Sequence, residues 1–430
     1  MNENSLPVRN SSATERVIKI LDRVAASLLA LCPLLQHYRA PLFNAALTVM
    51  VLLIPYFLCR VILDRKNLRW SQLKIIWALV AYMIFRVVDH GTSITEIGQS
   101  GVLIIYFAVA AFGLIEIRWL CRTAMVVSGI AALLLMAQYF CFYVLDFHLQ
   151  LVPVDLLLPS ADQWVLGAQT GMAGITGVIR DNGFYRPSAF FLEPSHAYIY
   201  IFPHLLIKLF GKRHGRFHLG QAVVLSMGMV LSTSGMGIAV VCAAWVLYFA
   251  LFNEETQRFS LRNLARRRTK IVLACAVVAF AAMVIFVPTV QKTVVRIFVN
   301  DPGKRTAIGG RVAAALEDLA QMNWKQWIIG VEDTTHGISH NMPGIIAAIY
   351  RHGLIGAILS LEFYAKSMWK LKMPFWPVAF VILGTSFFSA HTHSTVGMMY
   401  YVLILMRGYH TRLREESFVA TLRGIIDRTA

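Results

Sequence analysis

Apolar stretches of about 20 residues recur along this chain, and each is long enough to cross the hydrocarbon core of a bilayer as a helix. We read them at 24–38, 41–63, 73–90, 97–117, 123–146, 190–210, 219–233, 236–252, 271–290, 341–365, 375–390 and 395–409. That makes about twelve crossings. Inside hydrocarbon every backbone N–H and C=O must be bonded within the protein, so such segments fold as helices. The expectation is an all-α polytopic integral membrane protein, one membrane domain over residues 1–430. Only 15% of the residues are charged, against about 25% in soluble domains. The net charge of +17 would otherwise suggest nucleic acid. The 57% hydrophobic content overrules that, and excludes a soluble enzyme, a disordered chain and a nucleic-acid-binding domain.

Lysine and arginine give the expected orientation. Alternate connections hold Arg65, Lys66 and Arg69; Arg118 and Arg122; Lys212, Arg213 and Arg216; Arg262, Arg266, Arg267, Arg268 and Lys270; and Lys366, Lys370 and Lys372. Arg16, Lys19 and Arg23 near the start and Arg407, Arg412 and Arg414 near the end fall on the same side. The positive-inside rule assigns that side, with both termini, to the cytoplasm. The polar N-terminus has no cleavable signal pattern, so the first membrane helix is expected to serve as the targeting signal. The opposite side carries mostly short turns and two long loops, 147–189 and 291–340. Loops that long are usually functional. These two are rich in Trp, Gly, Arg, Asp and His, and we read them as caps over the outer, periplasmic face.

The first long loop ends Arg180-Asp-Asn-Gly-Phe-Tyr-Arg186-Pro-Ser-Ala-Phe-Phe-Leu-Glu193-Pro-Ser195-His196 and runs straight into a span. An ionisable residue at such a place is a functional hypothesis by default. A helix over 186–193 would set Arg186 and Glu193 two turns apart on one face. Pro194 suits a first helical turn. A turn of small residues follows at Leu231-Ser-Thr-Ser-Gly-Met-Gly237. The second loop contains Gly309-Gly-Arg311, Trp324, Trp327 and Gly330, and ends Thr334-Thr-His-Gly-Ile-Ser-His340-Asn341. A helix containing Gly353-Leu-Ile-Gly356 comes next. Trp324 and Trp327 are read as interfacial anchors, with an aromatic platform for a sugar ring as the alternative. His391-Thr-His393 is an HxH without a visible third ligand.

The string from Arg186 to His196 resembles the signature of the Wzy-type O-antigen and capsular polysaccharide polymerases, which are related to the O-antigen ligases. The Leu231–Gly237 turn resembles the element that follows in that family. So does the order Arg311, Gly330, His340-Asn341, Gly353-x-x-Gly356. The resemblance covers roughly residues 180–357. It implies glycosyl transfer at the periplasmic face of the bacterial inner membrane. The donor is a glycan on undecaprenyl pyrophosphate, and the acceptor is a hydroxyl of another lipid-linked repeat. It also implies a metal-independent enzyme with no cofactor, and a chain-length regulator and a flippase as partners.

Such a reaction needs cations or N–H donors on the departing pyrophosphate and a base near the attacking hydroxyl. Arg186 and Arg311 fit the first role, with Arg180 and Arg305 in reserve, because guanidinium binds phosphate bidentately. His340 and Glu193 are rival bases. Ser195, His196 and Asn341 complete the substrate-binding set. The motifs leave open a ligase that moves the glycan to lipid A core. A transporter would be the reading from another class, with Arg86, Asp89 and Glu362 as its few charges within spans.

Overall fold

A computed structural model describes residues 13–36, 44–63, 94–149, 185–191, 194–210, 218–253, 258–259, 315–331, 344–370 and 395–405. It also describes isolated positions at 38, 73–74, 77–78, 80–81, 84–85, 270–271, 274, 278, 281, 285 and 291. Ten helices carry the described chain: α1 Ala13–Leu35, α2 Ala45–Leu63, α3 Ile94–Phe112, α4 Ile117–Tyr143, α5 Pro194–Phe210, α6 His218–Leu231, α7 Gly235–Ala250, α8 Trp324–Ile329, α9 Gly344–Lys370 and α10 Thr395–Leu405. A hairpin of two-residue strands pairs Phe252 with Phe259 and Asn253 with Arg258. It is the departure from an all-α chain among the described residues.

α2 and α4 are each long and apolar enough to cross a membrane. α4 shows why they suit that setting. One stripe, Leu120, Ala124, Ala131 and Leu135, is buried at helical spacing, whereas Val126, Ile130, Leu133 and Phe140 on the other faces are exposed. A helix in water carries charge on its open face; this one carries aliphatic and aromatic side chains there.

The sequence-derived boundaries shift in instructive ways. α1 begins at Ala13 and passes through Pro33 unbroken, because a proline in the last turn displaces few backbone bonds. α5 begins at Pro194 rather than 190, so the segment before it is not helical. α9 is not one continuous helix: Gly353 breaks it with φ 63° and ψ 178°. The expected span 375–390 and most of 73–90 and 271–290 lie outside the described residues.

α1 to α7 and α10 share one core, into which α5 contributes almost its whole surface. Small residues let the helices close up. A Cβ on Gly228 of α6 would sit 2.6 Å from the Ala132 Cα of α4. Polar pairs mark one end of the bundle. Arg60 donates to both carboxylate oxygens of Asp22, at 3.2 and 3.3 Å, and the Tyr56 hydroxyl donates to the same group. Arg23 donates to Glu116 at 3.2 Å and lies over the Trp119 ring. The first half of α1, the end of α2 and the start of α4 therefore meet at one end. α5 runs antiparallel to α1, since the Tyr200 hydroxyl reaches the Ala30 carbonyl at 2.8 Å while His196, a turn earlier, shares a cleft with Pro33 and Gln36, further along the chain. The start of α5 thus lies at the opposite end.

Candidate functional site

The Arg186 segment sits at that opposite end as irregular backbone. Residues 185–188 belong to no helix or strand and 189–190 form a turn, in which Ala189 adopts φ 52°. Arg186 precedes a proline, which disfavours the α region. Residues 185–191 are not helical, so the condition that would set Arg186 and Glu193 two turns apart on one face is not met, and Glu193 itself lies outside the described residues. Burial alternates instead: Tyr185, Pro187, Ala189 and Phe191 are buried, and Arg186, Ser188 and Phe190 are only half-buried. Every second side chain anchors the segment, and the half-buried Arg186 keeps its Nε buried as well.

Two side chains of α4 pin this segment. Gln138, buried within the helix, accepts from the Ala189 N–H at 2.8 Å and donates to the Leu149 carbonyl at 3.2 Å. One amide thereby ties together the start and the end of the first long loop. The Tyr143 hydroxyl donates to the Tyr185 carbonyl at 2.9 Å and accepts from the Tyr185 N–H at 3.1 Å. Phe142, Tyr185 and His148 pack around this pair, with the His148 ring edge-on to Tyr185 at 4.9 Å. Burial holds the His148 imidazole below its ordinary pKa and pushes the Tyr185 phenol up to about 12. Both are neutral at pH 7.

α5 starts at Pro194, as its missing N–H allows, and carries Ser195, half-buried, and His196, buried. His196 lines a narrow cleft with Pro33 of α1 and Gln36 just after it, Ile199 and Tyr200 of α5, and Gly397, Tyr400 and Tyr401 of α10. His196, Tyr200 and His204 follow at four-residue spacing on one face of α5. Below the cleft Tyr400 donates to the Tyr200 carbonyl at 3.1 Å and lies 3.0 Å from His204 Nε2. Since that phenolic proton is engaged, the consistent tautomer has His204 Nε2–H donating to Tyr400.

The small-residue turn joins α6 to α7 beside the same helix. Ser232, Thr233 and Ser234 are all buried. Ser234 caps α7 by accepting from Gly237 N–H at 3.4 Å. A Cβ on Gly237 would lie 3.1 Å from the Met229 carbonyl and 3.4 Å from the Tyr198 side chain. Thr233 holds φ 55°, a costly conformation for a β-branched residue, and its buried hydroxyl has no hydrogen-bond partner among the described residues. Strain of this kind clusters at functional sites.

The second loop is also stapled at its base. Asn323 and Gln326 form a capping box on α8. Gly330, with φ 92°, meets Gly353 back to back: a Cβ on the first would lie 2.4 Å from the Arg351 carbonyl, and one on the second 2.2 Å from that of Ile328. Val331 N–H donates to the Tyr350 carbonyl at 2.9 Å. Ala315, Leu319, Met322, Ile346 and Ala347 form a small core with half-buried Trp327. Trp327 is thus a packing residue, and Trp324 alone is freely exposed.

Of the expected site residues, the structure brings Arg186, Ser195 and His196 to one end of the bundle. Glu193, His340, Asn341, Arg180, Arg305 and Arg311 lie outside the described residues, as do His391 and His393. Among the described residues no group of three His, Cys, Asp or Glu could hold a metal ion. Gln138 and His204 were missed in the sequence, although a polar residue inside an apolar span is a readable signal. No family model and no curated protein matches the chain.

Proposed function

We propose that this chain is a multi-pass protein of the bacterial inner membrane, with about twelve crossings and both termini cytoplasmic. In this reading it polymerises oligosaccharide repeats carried on undecaprenyl pyrophosphate into O-antigen, capsule or exopolysaccharide. One observation carries the reading. The Arg186 string, which resembles the polymerase signature, begins as irregular backbone at a bundle end over residues 185–191 and ends in a buried histidine that lines a cleft. Irregular backbone at such a depth is tolerated where it lines a cavity or is buried in protein.

The acceptor hydroxyl oxygen forms a bond to the anomeric carbon of the donor, and the bond from that carbon to the pyrophosphate oxygen breaks. The hydroxyl proton passes to the base, His340 or Glu193, and undecaprenyl pyrophosphate leaves with the electron pair. Arg186 and Arg311 would meet its growing charge, with Arg180 and Arg305 nearby in sequence and Ser195, His196 and Asn341 as further contacts. The test is purified protein in lipid vesicles with a defined lipid-linked repeat. Arg186→Ala should lower polymer formation by roughly 10²–10³-fold, the usual worth of a donor aimed at developing charge. Arg186→Lys should restore little, because the bidentate fork is lost. Wild-type polymer in Arg186→Ala overturns the role. Glycan appearing on lipid A core instead of on the carrier lipid makes the chain a ligase.

A further inference from the structure

The unit formed by α8 and the break in α9 presents exposed apolar side chains among the described residues. Trp324 is 77% exposed, and Ile328, one turn on, is 41% exposed on the same face. Exposed Leu316 lies one helical segment earlier. Water alone would not select this face on a short helix whose other positions, Lys325 and Gln326, are polar.

Its neighbour suggests the occupant. The Ile328 carbonyl packs on Gly353, and the residues just beyond that glycine, Leu354, Ile355 and Ile358, are exposed and apolar. Before the break the chain reads Tyr350-Arg351-His352, with Arg351 exposed. Polarity therefore changes across Gly353: basic and aromatic residues above, bare aliphatic residues below. Tryptophan beside lysine and arginine, at the junction of an apolar helix, is the composition of a membrane–water interface.

We propose that α8 is an interfacial foot. Trp324 and Ile328 enter the headgroup boundary of the bilayer, Lys325 and Arg351 face the lipid phosphates, and Gly353 marks the depth at which α9 enters hydrocarbon. This inference rests on the membrane reading and not on the glycan chemistry.

The test uses the full chain with its six cysteines replaced, single cysteines at 321, 324, 325 and 328, and nitroxide labels. The labelled protein is placed in vesicles of phosphatidylethanolamine and phosphatidylglycerol. Labels at 324 and 328 should collide more with oxygen and less with a water-soluble nickel chelate than those at 321 and 325. In the cysteine-containing chain, brominated lipid should quench tryptophan fluorescence, and Trp324→Phe should remove part of that quenching. Equal nickel accessibility at 324 and 325, or quenching unchanged in Trp324→Phe, overturns the foot. Protection of 324 from nickel only after a lipid-linked glycan is added assigns the face to substrate, and likewise overturns it.

Discussion

His148 stands edge-on to Tyr185 with its Nε2 buried and without a hydrogen-bond partner among the described residues. A neutral ring tolerates that site; an imidazolium there would lose hydration with nothing in return. The sign of the pH effect follows. The unfolded ring titrates near 6.5 and the folded one lower. Between those two values the unfolded chain binds more protons, so stability falls as pH falls. Thermal unfolding in detergent should therefore show a midpoint that drops as pH is lowered through 6.5, and His148→Gln should flatten that drop. An unchanged pH slope would show that the ring is free to charge in place. Arg186, Ser195 and His196 were legible because they stand in one contiguous string. The partners that hold them were not. Gln138 and Ala189 are 51 positions apart, and no local pattern encodes which buried amide receives which N–H. Thr233 was legible only as part of a small-residue turn; its left-handed conformation belongs to the packing of α6, α7 and α5 around it.

At the scale of elements, periodicity located every helix that the structure describes in the first seven, yet it misjudged two places where backbone geometry overrides hydropathy. One is the non-helical entry to α5, set by Pro187 and the Ala189 turn. The other is Gly353, where an apolar run conceals a break that only a positive φ reveals. Helix contacts held by absent side chains are equally silent in a hydropathy pattern. Gly228 and Ala132 illustrate this: an added Cβ would stand 2.6 to 2.9 Å from three Ala132 atoms, two of them backbone. Gly228→Ala gains up to about 1 kcal/mol of helix propensity, but overpacking costs typically 1–3 kcal/mol, and backbone cannot turn aside as a side chain can. The variant should unfold at lower temperature than wild type. Adding Ala132→Gly should recover only part of the loss, since the Ala132 Cα clash stays. A stabilised Gly228→Ala would mean that α4 and α6 have room to separate.

Across the whole molecule the two ends of the bundle differ in chemistry. One end gathers Asp22 with Arg60 and Arg23 with Glu116, beside exposed Arg118 and Arg122. The other gathers neutral hydrogen bonds, Ala189 to Gln138 and Tyr143 to Tyr185, beside the guanidinium of Arg186. The positive-inside rule concerns lysine and arginine near span ends and ignores acids, so pairing with Asp22 and Glu116 does not weaken the assignment. Under the proposed topology the Arg60 end faces the cytoplasm and the Arg186 end the outside. The polymerase reading requires this, because its lipid-linked substrates meet the enzyme at the periplasmic face. Asp146, exposed just past α4, reports the outer end, and Gln257, beyond α7 in the sequence, the inner end. With single cysteines at these positions in a cysteine-free chain, an impermeant maleimide applied to spheroplasts should label Asp146→Cys directly. Gln257→Cys should react only after the membrane is opened. Reaction of Gln257→Cys in sealed spheroplasts, with Asp146→Cys protected, inverts the topology. Arg186 would then face the cytoplasm, where it could not serve a periplasmic polymerase, whatever its own substitution does to activity.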